Sequence, residues 1–325
     1  MQAFDLLRPA GIDAAVAAAA IPGSKFIAGG SDLMQLMKDG VETPEHLVDL
    51  EPLPLAAITP GRTGLRLGAM ARMSDVAAHH VVRERYPLIS EALLLSASPQ
   101  VRNMGTIGGN LLQRTRCGYF RDTGFACNKR VPGSGCPAIR GENRMLAMLG
   151  VSPHCIASHP SDLAVALVAL DATVELRRVH GLPRSVRLRQ FYRLPGDTPH
   201  IENVLAPGEM IEAVLVPAAP TARRSHYLKV RDRSSFEFAL VSAAVAIDHD
   251  NGTINEARVA AGGVGTMPWH LAEVEVALRG RKLTDQTLRD AAAQAGQGAH
   301  PASQNGFKLT LLRRTVLRAL QIASA

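Results

Sequence analysis

Apolar residues in this chain recur at two spacings, which predict short strands and short helices in alternation. Strands are expected at residues 25–28, 45–50, 65–70, 227–230 and 257–261, with a hairpin formed by 174–176 and 186–188. Helices are expected at residues 13–20, 33–37, 86–97, 161–170, 271–279, 284–298 and 306–322, and Ser74 with Asp75 is expected to cap one more. The stretch 238–247 is apolar almost throughout, which fits a buried strand or a buried helix. The mixture predicts an α+β fold with a smaller C-terminal domain.

Two stretches break this pattern. The Pro- and Ala-rich residues 216–220 are predicted to be a linker, which gives one domain over 1–217, with subdomains of about 1–55 and 56–217, and a second over 218–325. Residues 112–156, here called the cysteine segment, are rich in Arg, Gly and Pro and show no period. Irregular segments of this length usually carry function or are ordered by a ligand.

Composition narrows the class of protein. The chain has 325 residues, 46% of them hydrophobic, which is enough for a folded protein of two or three domains. The formal net charge is +7, but the basic residues are not interleaved with aromatic ones, so nucleic-acid binding is not expected. An acidic partner subunit or an anionic cofactor fits this charge better. No apolar run approaches the roughly 18 residues of a membrane helix, and the N-terminus resembles a strand and an amphipathic helix rather than a signal peptide.

Two glycine-rich turns are candidates for an anion site. Residues 28–33 read Ala-Gly-Gly-Ser-Asp-Leu, and residues 105–110 read Gly-Thr-Ile-Gly-Gly-Asn. Glycines at such turns let the backbone approach a ligand, and free N–H groups there favour phosphate oxygens. Neither turn has the GxGxxG or GK[ST] pattern, and either alone also fits a tight packing turn. Together they favour an anionic ligand the size of a dinucleotide.

All four cysteines fall within the cysteine segment, at positions 117, 127, 136 and 155, separated by 9, 8 and 18 residues. Four thiolates are what a [4Fe–4S] cluster requires. A structural zinc ion usually takes cysteine pairs two to four residues apart, which this spacing lacks. A zinc site and a pair of disulfides remain alternatives at this point.

The two glycine turns, Pro160-Ser161-Asp162, the segment 229–243 and Ala261-Gly262-Gly263-Val264 together resemble the FAD-binding subunits of the molybdenum hydroxylases, the xanthine dehydrogenase and carbon monoxide dehydrogenase flavoprotein family. The resemblance covers nearly the whole chain. It implies a PCMH-type FAD-binding domain of two α/β subdomains, followed by a CO dehydrogenase flavoprotein C-terminal-like domain. It also implies that FAD lies between the two subdomains.

The resemblance assigns individual residues. The FAD pyrophosphate is expected on the first turn and its approach, which comprise Phe26, Ile27, Ala28, Gly29, Gly30, Ser31, Asp32 and Leu33. Thr106, Gly109 and Asn110 are expected along the flavin side. Asp162 is expected to bind a ribose or ribityl hydroxyl, and Lys229 to reach the flavin. The family usually has Thr where this chain has Ser31, a change that keeps the hydroxyl.

The cysteine segment is similar to that of the FAD subunits of periplasmic aldehyde oxidoreductases, which carry a [4Fe–4S] cluster beside FAD. This implies that Cys117, Cys127, Cys136 and Cys155 are the cluster ligands. A four-thiolate cluster is an anion, and nearby basic residues are expected to offset its charge. These are Arg114, Arg116, Arg121, Lys129, Arg130, Arg140 and Arg144.

The implied function is electron transfer within a molybdenum-dependent aldehyde oxidoreductase. Aldehyde oxidation would occur at a molybdopterin in a large partner subunit, and a small subunit with two [2Fe–2S] clusters would complete an αβγ heterotrimer. No residue of this chain is expected to act as a catalytic residue on the aldehyde, and no nicotinamide acceptor is expected. The compartment expected is the periplasm, by co-export with a signal-bearing partner, with the cytoplasm as the alternative.

Two other functions remain open at this stage. One is the β subunit of an enzyme like 4-hydroxybenzoyl-CoA reductase, in which electrons run toward the molybdenum. The other is a zinc-stabilised nucleotide-binding subunit without redox activity.

Overall fold

The computed structural model of the chain describes residues 1–179 and 182–325. The strands are β1 (Asp5–Leu7), β2 (Ser24–Ile27), β3 (His46–Asp49), β4 (Ile58–Pro60), β5 (Gly64–Gly68), β6 (Thr173–Arg177), β7 (Arg184–Arg187), β8 (Met210–Pro217), β9 (Ser225–Val230), β10 (Val241–Asp250), β11 (Thr253–Gly262) and β12 (Trp269–His270). The helices are α1 (Ile12–Ala19), α2 (Leu33–Lys38), α3 (Met73–Ala78), α4 (His80–Arg85), α5 (Pro87–Leu94), α6 (Pro99–Met104), α7 (Ile107–Leu111), α8 (Gly118–Arg121), α9 (Asp162–Ala169), α10 (Leu188–Phe191), α11 (Ala272–Leu278), α12 (Asp285–Ala293) and α13 (Phe307–Ala323). Short 3₁₀ turns cover Pro137–Ile139 and Pro220–Ala222. In the described residues, no helix has the length and apolar character needed to span a bilayer.

The N-terminal subdomain is a three-stranded parallel sheet in the order β1-β3-β2. Parallel neighbours need a crossover connection, and α1 and α2 supply it. Ala15 and Val16 of α1 are fully buried in a core with Val48 of the central strand. The carboxyl end of β2 leads directly into the first glycine turn, which places that turn at one edge of the sheet.

The middle part of the chain forms a five-stranded antiparallel sheet in the order β4-β5-β8-β6-β7. Helix α9 packs in its core, and all eight residues of that helix are buried. A helix that is apolar on every side is typical of such a central position. Ser161 caps α9, because its hydroxyl accepts a hydrogen bond from the Ala164 amide.

The C-terminal domain is a four-stranded antiparallel sheet, β12-β11-β10-β9, covered by α11, α12 and α13. Strand β10 is buried on both faces: Ala243 and Val245 pack with the C-terminal helices, whereas Ala244 and Ala246 pack with the core that contains α9. A strand covered on both sides needs apolar residues at every position rather than at alternate ones. This explains the uninterrupted apolar run, and it decides between the two predictions for it in favour of a strand.

The cysteine segment is irregular, as predicted, apart from α8 and one 3₁₀ turn. Side chains of both the N-terminal subdomain and the C-terminal domain form hydrogen bonds with it. The Asn305 side-chain amide donates to the carbonyl oxygens of Leu146 and Ala147 at 3.2 and 3.1 Å. The ammonium of Lys308, a fully buried residue of α13, donates to the carbonyl oxygens of Leu146 and Gly263 at 3.1 and 2.8 Å.

One prediction of local structure is wrong, and another is wrong at its first two residues. Helix α3 begins at Met73, so Ser74 and Asp75 lie inside it; the Ser74 hydroxyl contacts Asp75 at 3.3 Å and caps nothing. The predicted linker at 216–220 begins inside β8, where Val216 is 1% exposed and pairs with Leu65. Pairing with a strand 150 residues away in sequence outweighs the local Pro and Ala content there. The predicted domain boundary at 217/218 stays a prediction.

Candidate functional site

A cavity of about 840 Å³ lies where the N-terminal sheet, the middle domain and β9 meet. This volume falls in the usual range of ligand and cofactor sites, about 300–1,000 Å³. The structure brings every predicted FAD residue to its wall, namely Phe26, Ile27, Ala28, Gly29, Gly30, Ser31, Asp32, Leu33, Thr106, Gly109, Asn110, Asp162 and Lys229. Residues up to 203 positions apart in sequence thus line one space, here called the large cavity.

The two glycine turns touch each other at the cavity wall. A Cβ atom on Gly29 would lie 1.8 Å from the carbonyl oxygen of Met104, which no side chain can tolerate. Gly30 has φ +66°, a left-handed conformation that favours glycine. The guanidinium of Arg72 fixes the contact, because it donates to Met104 O at 2.5 Å and to Glu51 at 2.7 Å. Arg72 could not be predicted from the sequence, since no motif marks it.

The second turn is oriented by its own side chains. The Thr106 hydroxyl accepts a hydrogen bond from the Gly109 amide at 3.2 Å and so caps α7. The Ser161 hydroxyl donates to Oδ1 of Asn110 at 2.6 Å, which fixes the direction of that amide. Gly108 packs so closely on Ala69 that an added Cβ would lie 2.9 Å from the Ala69 Cβ. The turn therefore presents Gly109 and Asn110 to the large cavity in a fixed geometry.

A buried polar network forms the opposite wall. Lys229 Nζ lies 2.8 Å from Oδ2 of Asp162, and the two side chains are 1% and 6% exposed. Ser96 and Tyr227 donate hydrogen bonds to the same carboxylate at 3.0 and 2.7 Å, and Ser242 lies 2.9 Å from the tyrosine hydroxyl. Burial raises the pKa of Tyr227 well above its ordinary value, and the Asp162 charge adds to the rise. The tyrosine therefore stays a hydrogen-bond donor.

Residues of the cysteine segment also line the large cavity, which sequence reasoning did not foresee. Arg114 and Arg116 of that segment lie in its wall. Phe236 and Phe238, from the connection between β9 and β10, lie there as well. The Arg116 guanidinium lies 4.7 Å from the centroid of the Phe238 ring, a cation–π arrangement. Burial lowers the pKa of Arg116 to about 10, although Asp32 opposes the change. The signal available in the sequence was the position of Arg116 next to Cys117.

The four cysteines meet at a second, small cavity, here called the cysteine cavity. All four are free thiols; Cys117, Cys127 and Cys155 are buried, and Cys136 is half-buried. Aromatic and alanine side chains complete the lining, together with Asn128, Lys129 and His154. Within residues 1–179 and 182–325, no three His, Cys, Asp or Glu side chains are grouped closely enough to hold a single metal ion.

Burial favours the protonated form of three of the thiols, those of Cys117, Cys136 and Cys155. Burial raises the pKa of Cys117 to about 11, against the opposing effect of the Phe120 and Tyr119 backbone amides. Burial also raises the pKa of Cys136, which hydrogen bonds from backbone amides oppose, and that of Cys155, which the charge of Lys129 opposes. Backbone amides and Lys129 thus favour the thiolate forms of these three cysteines, whereas their burial favours the neutral thiols.

Most of the basic residues expected to offset a cluster charge are paired with carboxylates. Arg114 contacts Glu42 at 2.5 Å and Glu202 at 2.7 Å, and Lys129 contacts Glu202 at 2.8 Å. Burial opposes ionisation of Glu202, but Lys129 and Arg114 outweigh it and hold its pKa below the ordinary value. Lys129 is the basic residue of that set that lines the cysteine cavity itself, and His154 lines it as well. The other six residues of the set do not line this cavity.

Comparison with known proteins identifies the family to which the chain belongs. Residues 2–219 match the family described as the FAD binding domain in molybdopterin dehydrogenase, and residues 226–323 match the CO dehydrogenase flavoprotein C-terminal domain. The chain belongs to this molybdopterin dehydrogenase family and is an oxidoreductase subunit that binds FAD. The predicted α+β architecture with these two domains is confirmed.

Two relatives and one solved structure define the similarity more closely. The chain is 49% identical over 315 residues to the aldehyde oxidoreductase FAD-binding subunit PaoB of Escherichia coli (strain K12), covering 96% of this chain and 95% of that protein. It is 29% identical to the carbon monoxide dehydrogenase medium chain of Afipia carboxidovorans, covering 97% and 96%. The solved structure of reconstituted CO dehydrogenase from Oligotropha carboxidovorans superposes with a TM-score of 0.78 at 26% identity, covering 99% of this chain and 97% of that one.

Proposed function

We propose that this chain is the FAD- and [4Fe–4S]-binding electron-transfer subunit of a molybdenum-dependent aldehyde oxidoreductase. The observation that carries the proposal is the presence of two cavities in one chain, one lined by all the predicted FAD residues and the other by all four cysteines. The 49% identity to an aldehyde oxidoreductase FAD-binding subunit supports the choice of reaction.

The large cavity fits FAD by its size and lining. The glycine turns leave backbone amides free of Cβ atoms at the position proposed for the pyrophosphate, where N–H groups bind phosphate oxygens. Asn110 and Lys229 present donors to the proposed flavin side, and Asp162 presents a carboxylate that is already hydrogen-bonded. FAD, when bound, exchanges electrons both singly and in pairs. The chain's own contribution is to hold the cofactor and to shield it.

The cysteine cavity fits a sulfur-ligated cluster by its donor set. Four thiols, backbone amides directed at sulfur and one lysine are the features that stabilise an iron–sulfur cluster and set its potential. The two cavities are close to each other, since Arg116 lines the large cavity and the next residue, Cys117, lines the cysteine cavity. This proximity supports electron exchange between the two proposed cofactors.

The proposed partners are a large molybdopterin subunit and a small subunit with two [2Fe–2S] clusters, in an αβγ heterotrimer. Two relatives are named medium chains of a carbon monoxide dehydrogenase and a glyceraldehyde dehydrogenase, which implies larger and smaller chains in those enzymes. Aldehyde oxidation itself is assigned to the large subunit. The electrons released there would reach this chain and then an external acceptor.

Absorption spectroscopy with iron, zinc and FAD analysis tests the proposal. Purified protein should contain one FAD and about four irons per chain, with flavin bands on a broad shoulder that dithionite bleaches. The Cys127→Ser variant should lose iron and the shoulder but retain FAD, because Cys127 does not line the large cavity. The matched control is Thr123→Ala, an exposed position of the same segment that lines neither cavity. Zinc in place of iron would contradict the cluster, and protein that never binds FAD would contradict the whole proposal.

A further inference from the structure

We propose that Arg121, in the cysteine segment, is a positioning residue for FAD that acts through Asp32 of the first glycine turn. The inference goes beyond the function proposed above. It requires that the chain binds FAD, but it does not depend on which metal, if any, the cysteines hold.

Asp32 lies in the wall of the large cavity, yet its carboxylate is occupied by the cysteine segment. Oδ1 lies 2.7 Å from Nη2 of Arg121 and 3.0 Å from Nη2 of Arg116, and Oδ2 accepts a hydrogen bond from the Arg114 backbone amide at 2.8 Å. Asp32 does not cap α2, although that helix starts at the next residue. The side chain therefore links the glycine turn to a segment more than 80 residues away in sequence.

Arg121 itself is firmly held and lies outside the cavity lining. Its side chain is 15% exposed, and it also donates to the Thr115 carbonyl oxygen at 3.0 Å and to the Arg114 carbonyl oxygen at 3.2 Å. It ends α8, the helix that starts directly after Cys117. In the described chain Arg116 lines the large cavity, whereas Arg121 does not, so an effect of Arg121 on FAD must pass through Asp32 or the backbone around it.

The electrostatic role follows from the charges. A free Asp32 carboxylate beside the position proposed for the pyrophosphate would repel the cofactor, since like charges a few ångströms apart oppose each other strongly in a partly buried site. Two guanidinium groups on one carboxylate remove that repulsion and leave an excess of positive charge. They also restrain the turn that contains Gly29 and Gly30. Arg121 of the cysteine segment thus contributes to FAD affinity although it does not itself contact the cofactor.

A double-mutant cycle on FAD affinity tests this inference. The full chain is depleted of flavin and titrated with FAD, with quenching of flavin fluorescence as the readout. Arg121→Gln should weaken FAD binding about tenfold, because it removes a charge-assisted hydrogen bond and the neutralising charge. Lys38→Gln removes an equal charge from the exposed end of α2 and should change the affinity by less than about twofold.

The cycle is completed in the Asp32→Ala background, where the acceptor is absent. There Arg121→Gln should weaken FAD binding by a clearly smaller factor than in the parent chain, because only the direct effect of the arginine charge remains and coupled residues give non-additive effects. The inference is overturned if Arg121→Gln leaves the affinity of the parent chain unchanged, or if it weakens binding equally in both backgrounds. Equal weakening would mean that the arginine acts through folding or through the cysteines. Arg121→Lys keeps the charge and should bind FAD more tightly than Arg121→Gln, which gives a measurement if the glutamine variant does not fold.

Discussion

Lys229 Nζ and Asp162 Oδ2 lie 2.8 Å apart at the wall of the large cavity, with almost no access to water. One partner comes from strand β9 of the C-terminal domain and the other from helix α9 of the middle domain. A buried pair of this kind adds little net stability, but the loss of one partner leaves an uncompensated charge. The pair therefore ties the two domains together at the large cavity.

Replacement of Lys229 by Met should lower the free energy of unfolding by about 3–5 kcal/mol, because Asp162 would remain charged and buried. Urea unfolding of flavin-depleted protein measures the loss. The double variant Lys229→Met/Asp162→Asn should recover part of it, since no buried charge remains. Lys282→Met, at an exposed lysine whose ammonium donates to the Thr253 hydroxyl, is the control and should change stability by less than about 0.5 kcal/mol. Equal losses in the single and double variants would contradict the account.

Gly29→Ala should weaken FAD binding more than tenfold, because its Cβ would displace the Met104 carbonyl and separate the two glycine turns. FAD titration of the depleted chain measures this. Gly11→Ala adds a methyl group where no atom lies within 4 Å and should bind FAD as the parent chain does. Normal FAD affinity in the Gly29→Ala variant would show that the contact between the turns is not required.

Lys308 should make stability depend on pH. Burial lowers its pKa to about 7 from the ordinary 10.5, so above pH 7 the unfolded chain holds this proton more tightly than the folded chain does. The Lys308 contribution to stability is therefore least favourable below pH 7 and rises toward pH 10.5, by at most about 1.4 kcal/mol per pH unit. Comparison of urea midpoints of the parent chain and Lys308→Met between pH 7 and 9.5 should show a steeper rise in the parent. Parallel curves would contradict the shifted pKa.

The metal-free thiols should react slowly with iodoacetamide near neutral pH. The thiolate is the reactive form, and burial raises the pKa of Cys117 to about 11 and that of Cys155 above its ordinary value. Labelling should speed up as the pH rises from 7 to 9.5, and half-buried Cys136 should be modified first. Peptide mass analysis over time gives the order, with guanidinium-unfolded chain as the fast reference. Labelling at pH 7 as fast as in that reference would contradict the burial.

The positions of both groups of residues could be predicted from the sequence, because the cysteines are clustered in one segment and the two glycine turns carry the family resemblance. Glycine turns and clustered cysteines mark their positions without knowledge of the fold. Thirteen of thirteen predicted FAD residues line one cavity, and four of four cysteines line the other. Their roles as ligands stay predictions. The secondary structure also followed from periodicity, with most elements within two or three residues of their expected ends.

The rest depended on contacts between distant parts of the chain. Arg72 and Arg121 are ordinary arginines in the sequence, and only the fold shows that one joins the two glycine turns and the other neutralises Asp32. The predicted linker overlaps the last two residues of β8, Val216 and Pro217, because the pairing of that strand with β5 involves residues far away in sequence. Residues that position a site through a second residue leave no local pattern.

The hydrogen bonds that Asn305 and Lys308 donate to the Leu146 carbonyl can form only late in synthesis of the chain. The polar groups that close the cysteine segment are made 159 and 162 residues after the carbonyl they bind. At about 5–20 residues per second, the ribosome leaves that segment open for roughly 8–30 s. Until Lys308 has been made, Leu146 and the part of the cysteine segment around it lack these C-terminal hydrogen bonds. The cysteine segment therefore reaches its final packing only after nearly the whole chain has been translated.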